Sequence, residues 1–170
     1  MKPLTPDDVR TALGALGADV RVQTFGTSTA TAQQAADSIG TELGSIVKSL
    51  CFFINGEPVI VLGSGDQRMD ERKLGRLRQA GRKKVKMATA EQSIEVTGYA
   101  PGGVPPVGHR TRLPVYIDDS LAHYHTVYAA AGSPNTIFPI AFEKLVEITG
   151  GRVVNIAREE KAKAAPPGAS

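Results

Sequence analysis

The chain has 170 residues, 41% of them hydrophobic, with one cysteine and a net charge of +3. That length supports one domain with its own core, and the lone Cys51 excludes an internal disulfide framework or a Cys-x-x-Cys zinc cluster. No apolar stretch approaches the roughly 18 residues of a membrane span, and no charged-then-apolar leader opens the chain, so a cytoplasmic protein with no membrane association is expected.

In chain order, Thr5-Pro6-Asp7-Asp8 has the form of a helix start, and Val9, Leu13 and Leu16 mark the buried face of a helix running to about Gly17. VRVQTF (20–25) alternates as a strand. Thr31-Ala32-Gln33-Gln34 is a Thr-x-x-Gln capping box that opens a short helix closed by Gly40. IVKSLCFFI (46–54) is too short and too rich in β-branched and aromatic residues for a helix, and Asn55-Gly56 turns it into a partner strand at 58–62. Asp70 to Ala80 reads as a helix with Leu74 and Leu77 inward, ended by Gly81. Next come a strand at 84–87 and a second capping box at Thr89 and Gln92, the latter starting a helix that ends at Gly98. Strands are expected near 114–118, 126–131 and 136–140, then a helix at 141–149 and a last strand at 152–156. Strands and helices intermix without a regular βαβ beat, which implies an α+β fold with a mixed, curled sheet. The domain is placed at residues 1–157, and 158–170, rich in Pro, Ala and charge, reads as a flexible tail.

Four features carry chemical information. Lys48 shares a strand face with Ile46, Leu50 and Phe52, and leaving its ammonium dry and unpaired costs several kcal/mol, roughly, or forces it to deprotonate. It either snorkels to water at a sheet rim or faces a cleft that takes an anionic or carbonyl-bearing ligand. Between Arg68 and Lys86 stand nine basic and two acidic residues, a local +7 that leaves −4 on the rest of the chain. Such asymmetry suits a polyanion, although a solvated helix face would look similar. In YAPGGVPPVG (99–108), paired glycines permit close approach to the backbone, and Pro105 and Pro106 stiffen the loop beyond them. AAAGSPNT (129–136) is a strand end turning at Gly132 and Pro134. His109, His123 and His125 do not form a ligand pattern with a carboxylate, and neither a Gly-x-Ser-x-Gly elbow nor a phosphate-binding Gly-x-x-x-x-Gly-Lys is present, so no metal or cofactor is expected.

Taken together, Ile-Val-Lys-Ser-Leu, Val-Leu-Gly-Ser-Gly-Asp, Thr-Gly-Tyr-Ala-Pro-Gly-Gly-Val-Pro-Pro, Leu-Pro-Val-Tyr-Ile-Asp and Ala-Gly-Ser-Pro, in this order, resemble the YbaK and prolyl-tRNA synthetase-associated domain family of aminoacyl-tRNA editing domains. The resemblance spans residues 20–156. It implies a single α+β domain with a curled, mixed, barrel-like sheet and surrounding helices, and a hydrolase that deacylates tRNA carrying the wrong amino acid. By that resemblance Lys48 is the lysine needed for deacylation, and Gly102 and Gly103 offer backbone amides to the reacting ester. Phe25, Ser49, Val104, Pro105, Gly132, Ser133 and Asn135 bound the substrate, while Pro106 completes the loop. The family often carries a histidine in the stretch corresponding to 25–30 or just after the Gly-Ser-Pro turn. Here Phe25 to Ala30 and Asn135 stand there, so the amino acid removed is left open among cysteine, alanine, serine and threonine. Arg72, Arg76, Arg82 and Lys83 would hold tRNA phosphates, with tRNA(Pro) as the substrate and a prolyl-tRNA synthetase as a possible partner; the oligomeric state is not legible. Two rival readings are a binding module for tRNA or an aminoacyl-adenylate that has lost turnover, and a nucleic-acid-binding regulator using the basic helix alone.

Overall fold

A computed structural model of the protein describes residues 2–159. The tail expected at 158–170 lies outside the described residues beyond Glu159, while the Arg158 N–H still donates to the Arg68 carbonyl at 2.7 Å. The elements in order are α1 (Pro6–Ala15), β1 (Gln23–Thr24), α2 (Ala32–Ile39), β2 (Ile46–Ile54), β3 (Glu57–Ser64), α3 (Glu71–Arg76), β4 (Val85–Met87), α4 (Ala90–Thr97), β5 (Val115–Asp118), β6 (Thr126–Ala130), β7 (Thr136–Ala141), α5 (Phe142–Thr149) and β8 (Arg152–Val154). Short 3₁₀ turns occupy Leu43–Ser45, Arg82–Lys84 and Asp119–His123.

Local sequence accounts for most of these boundaries. Both Thr-x-x-Gln boxes close as expected: Gln34 N–H donates to Thr31 Oγ1 and Gln92 N–H to Thr89 Oγ1, each at 3.1 Å, and each Gln side chain accepts from the capping residue's N–H. Asn55 (φ 52°) and Gly56 (φ 78°) both take the left-handed conformation that a two-residue hairpin turn requires. Two expectations are corrected. The strand at 20–25 shrinks to Gln23–Thr24, which pairs only with Ile137 and Thr136. The helix expected to run to Ala80 stops at Arg76, because Gln79 rather than Gly81 takes the left-handed cap (φ 54°) and Ala80 N–H reaches back to the Gly75 carbonyl at 2.8 Å.

The sheet is mixed, ordered β1-β7-β6-β2-β3-β5-β8, with β4 added to β2; β2·β6, β3·β5 and β5·β8 are parallel pairs. Its ends, β1 and β8, do not pair, so it curls without closing. One face buries Val47, Cys51, Ile60 and Leu62 with Val9 and Leu13 of α1, Tyr99, Val104 and Phe138. On the other face Phe52, Ile54, Val59 and Val61 pack under Leu74 of α3, while Ile46 packs under Ala35 and Ala36 of α2. Lys48 and Leu50 belong to this second face, in the stretch between those two helical covers. Asp118, fully buried, ties down the end of the fold: Oδ1 accepts from the N–H groups of Ile156 (2.9 Å) and Ala157 (3.0 Å), and Oδ2 from Ser120.

Candidate active site

β2 is paired with β3 along its length, but its other edge is shared. It meets β6 only through Ile46↔Tyr128 and Val47↔Ala129, and β4 only through Phe52↔Met87 to Ile54↔Val85. Between these partners, residues 48–50 have no strand residue opposite them, and the next bond on this edge runs from Ala88 N–H to the Cys51 carbonyl at 2.9 Å. A cavity of about 290 Å³ opens at this split, lined by Lys48, Ser49 and Leu50 of β2, Thr29 to Ala32 and Ala35 around the start of α2, Tyr128 and Ala130 of β6, Ile137 of β7, and Gly102 and Val104. That volume is at the low end of the roughly 300–1,000 Å³ of small-molecule sites, so the site suits a small ligand.

Two polar side chains define its chemistry. Lys48 is half-buried and its Nζ donates to the Gln67 carbonyl. Burial lowers its pKa, Asp66 pulls it back up, and Arg68 adds to the lowering. The Ser49 hydroxyl is buried and, among the described residues, has no hydrogen-bond partner. A buried hydroxyl without a partner costs about 1–3 kcal/mol, so a ligand able to bond it removes a standing penalty. Cys51 contributes no reactivity, since burial pushes its thiol up to about 11.

The facing loop is held rigid by its own bonds. Tyr99 OH donates to the Gly108 carbonyl (2.9 Å), Gly103 N–H to the Ala100 carbonyl (3.1 Å), and His109 Nε2–H to the Pro105 carbonyl (2.6 Å). Because a carbonyl can only accept, this last contact fixes the proton on Nε2, and burial holds the imidazole's pKa below its ordinary value. The Gly103 amide is therefore committed to a turn, which corrects the expectation of two bare amides. The N–H groups of Gly102 and Val104, whose residues do line the cavity, have no partner among the described residues. Gly102 needs its freedom (φ 89°), and a Cβ there would come within 3.1 Å of the Ala30 Cβ across the wall.

Six expected site residues stand behind the lining rather than on it: Phe25, Gly103, Pro105, Gly132, Ser133 and Asn135. The turn at 132–135 is a clamp for both walls. Gly132 N–H donates to the Gly103 carbonyl (2.9 Å), and the Pro134 carbonyl accepts from Thr29 N–H (2.6 Å). Asn135 and Phe25 exchange two bonds: Phe25 N–H to the Asn135 carbonyl at 2.8 Å, and Asn135 Nδ2 to the Phe25 carbonyl at 3.2 Å. Ser133 Oγ is used up within the turn by Asn135 Oδ1 (2.8 Å) and Thr136 Oγ1 (2.7 Å). Asn135 was expected on the wall that meets the amino-acid side chain; it instead anchors the segment leading to that wall. Thr29, Tyr128, Ala130 and Ile137 went unrecognised, because small and β-rich residues in a strand or loop carry no chemical signature of their own.

Arg72, Arg76, Arg82 and Lys83 are all exposed on α3 and the 3₁₀ turn after it, outside the cavity. Arg82 meets Glu71 at 3.6 Å, whereas Arg72, Arg76 and Lys83 have no carboxylate partner among the described residues.

The curled sheet of this α+β domain splits to admit a small cavity, which brings together one half-buried lysine, an unpartnered hydroxyl and a glycine loop. The sequence model of the aminoacyl-tRNA editing domain matches residues 27–148, and the chain belongs to that family. The uncharacterized protein YwhH of Bacillus subtilis (strain 168) is 38% identical over 133 residues, 78% of this chain and 83% of that one. EbsC of Enterococcus faecalis, named as a candidate Cys-tRNA(Pro)/Cys-tRNA(Cys) deacylase, is 31% identical over 130 residues, 76% of this chain and 78% of that one. A crystal structure described as that of a candidate trans-editing enzyme for prolyl-tRNA synthetase superposes with a TM-score of 0.85 at 39% identity, over 91% of this chain and 97% of that one.

Proposed function

We propose that the protein is a trans-acting aminoacyl-tRNA deacylase that hydrolyses the ester of a mischarged small amino acid, cysteine, alanine, serine or threonine, on tRNA(Pro). The observation that carries this reading is the cavity at the split edge of β2, where Lys48 and the unpartnered Ser49 hydroxyl share a space sized for a small acyl group with the free amides of Gly102 and Val104. An aminoacyl ester is already activated, so the site has mainly to position water and stabilise the oxyanion. Water adds to the carbonyl carbon, negative charge collects on the carbonyl oxygen beside the Gly102 amide, and the bond to the ribose oxygen then breaks as that oxygen takes up a proton. Lys48 holds the terminal phosphate-ribose or the ester itself, and Ser49 meets the amino-acid side chain. With no carboxylate or histidine on the lining, the neighbouring ribose hydroxyl of the RNA serves to activate the water, and the reaction calls for no cofactor.

Arg72, Arg76, Arg82 and Lys83 then take phosphates of the acceptor stem, which makes affinity fall with salt. The working unit is residues 1–157, acting in the cytoplasm with a prolyl-tRNA synthetase as candidate partner; among the described residues no helix is long and apolar enough to cross a membrane. The test is release of amino acid from tRNA(Pro) charged separately with cysteine, alanine, serine and threonine. At least one ester is expected to be cleaved well above its spontaneous rate. Tight tRNA binding with all four esters left at the spontaneous rate would favour the non-catalytic binding module instead.

A further inference from the structure

We infer that the unpaired 3′ end of the RNA runs from the cavity at the split edge of β2 out over β4 to the turn at Arg82–Lys84, with Met87 as the platform on which one of its bases rests; this rests on the deacylase reading above. Met87 is 57% exposed, the most exposed of the large hydrophobic residues. It closes the far end of the split, opposite Phe52 and on the same sheet face as Lys48 and Leu50. Four steps along the strand lead from Lys48 to Phe52, about 13 Å, and a stacked strand advances about 3.4 Å per nucleotide, so Met87 meets a base only a few nucleotides from the ester. Every base has an apolar face, and a bare thioether chain beside the track gives it a contact that needs no base identity.

Beyond Met87 the character of the surface changes in the direction a stem would extend. Ile54 pairs with Val85 about 20 Å along β2 from Lys48, and Asn55 N–H holds the Lys84 carbonyl at 3.0 Å, which fixes the basic turn to the end of the strand. Lys83, Lys84 and Lys86 surround this end, with Arg72 and Arg82 beside Val85. Among the described residues, the three lysines and Arg72 have no carboxylate partner. The order along one strand is thus lysine cavity, apolar platform, dense positive charge, which matches ester, unpaired bases, stem phosphates.

The experiment measures binding of three RNAs that carry alanine through a non-hydrolysable 3′-amide: a single adenosine, the trinucleotide CCA, and a stem-loop ending in CCA. Affinity should rise at both steps. Met87→Ala should shrink the gain from adenosine to CCA by about three- to tenfold, and Met87→Phe should restore or enlarge it. Replacing Lys83 and Arg82 by Ala should shrink only the gain from CCA to stem-loop and flatten its salt dependence. If CCA binds no better than adenosine, or if Met87→Phe binds CCA no better than Met87→Ala, the path is wrong. If the length dependence holds while true esters are not cleaved, the deacylase reading fails and the path stands.

Discussion

Ser49→Ala should make the protein more stable and its chemistry worse. The Ser49 Oγ is the one buried side-chain polar atom without a hydrogen-bond partner among the described residues, on a strand whose neighbours Val47 and Cys51 are core. Alanine keeps the strand geometry and removes a group that is desolvated without a compensating bond, which is worth about 1 kcal/mol where the hydroxyl opens onto a cavity rather than a dry core. For a domain of this size that corresponds to a rise in Tm of about 2–4 °C. On the proposed deacylase reading the same hydroxyl bonds the bound amino acid, and loss of a neutral hydrogen bond costs about 0.5–1.5 kcal/mol, so kcat/KM for the esters of serine, threonine or cysteine should drop roughly two- to twelvefold relative to alanine. Thermal melts and deacylation of the four esters, run on the same preparation, read both effects. A Tm that stays level or falls, together with an unchanged order of preference, would refute the reasoning, since the hydroxyl would then be neither a liability in the free protein nor a contact in the complex.

Lys48→Ala should abolish deacylation while the fold stays cooperative and within about 1 kcal/mol of the parent, because relief from desolvation offsets the lost bond to the Gln67 carbonyl; retained turnover would remove the lysine from the reaction. Replacing Arg72 and Arg76 by alanine should weaken tRNA binding and lower the salt slope by up to about two, with unchanged binding showing that this face is merely solvated. Gly103→Val places a Cβ 3.1 Å from the Ser133 backbone, so it should cost about 1–3 kcal/mol and lower the rate for all four esters together by moving the loop off its clamp; a change in selectivity with an unaltered melt would contradict that. His109 is held neutral in the fold while the unfolded chain takes up a proton near pH 6.5. Its contribution is therefore complete above pH 6.5 and lost as pH falls from there toward its lower folded value, and His109→Gln, which can still donate to Pro105, should flatten that part of the Tm profile.

How far the site could be read ahead of the structure differs residue by residue. Lys48 stood out because a charge inside an apolar strand conflicts with the period-two pattern around it, whereas Ser49 was pointed to only by the family resemblance. Gly102 and Val104 were legible as part of a glycine-rich loop, yet which of the paired glycines faced the cavity was not. That depends on a turn bond from Gly103 to Ala100, a matter of backbone direction rather than residue type. Asn135 and Ser133 looked like ligand-binding groups because both carry donors and acceptors, and the structure commits those groups to Phe25, to Thr136 and to each other. A polar side chain announces that it needs partners, but not whether they are protein or substrate.

The elements themselves followed from local chemistry. The two Thr-x-x-Gln boxes and the Asn55-Gly56 turn specify their own conformations through contacts between residues three apart, and the alternation of β2 sets which side chains share a face. The order of the strands does not. That β2 is met by β6 at one end of its second edge and β4 at the other, leaving residues 48–50 without a strand on that side, rests on contacts between segments roughly 30 to 80 positions apart in the chain. Lys48 is in a cleft rather than at a rim because α2 and α3 cover the strand on either side of it and the sheet splits beside it. The lysine is written in one short stretch of sequence, whereas the cavity it lines exists only once distant segments have paired, since no segment alone can bury its apolar face or leave an edge open in the middle of a sheet.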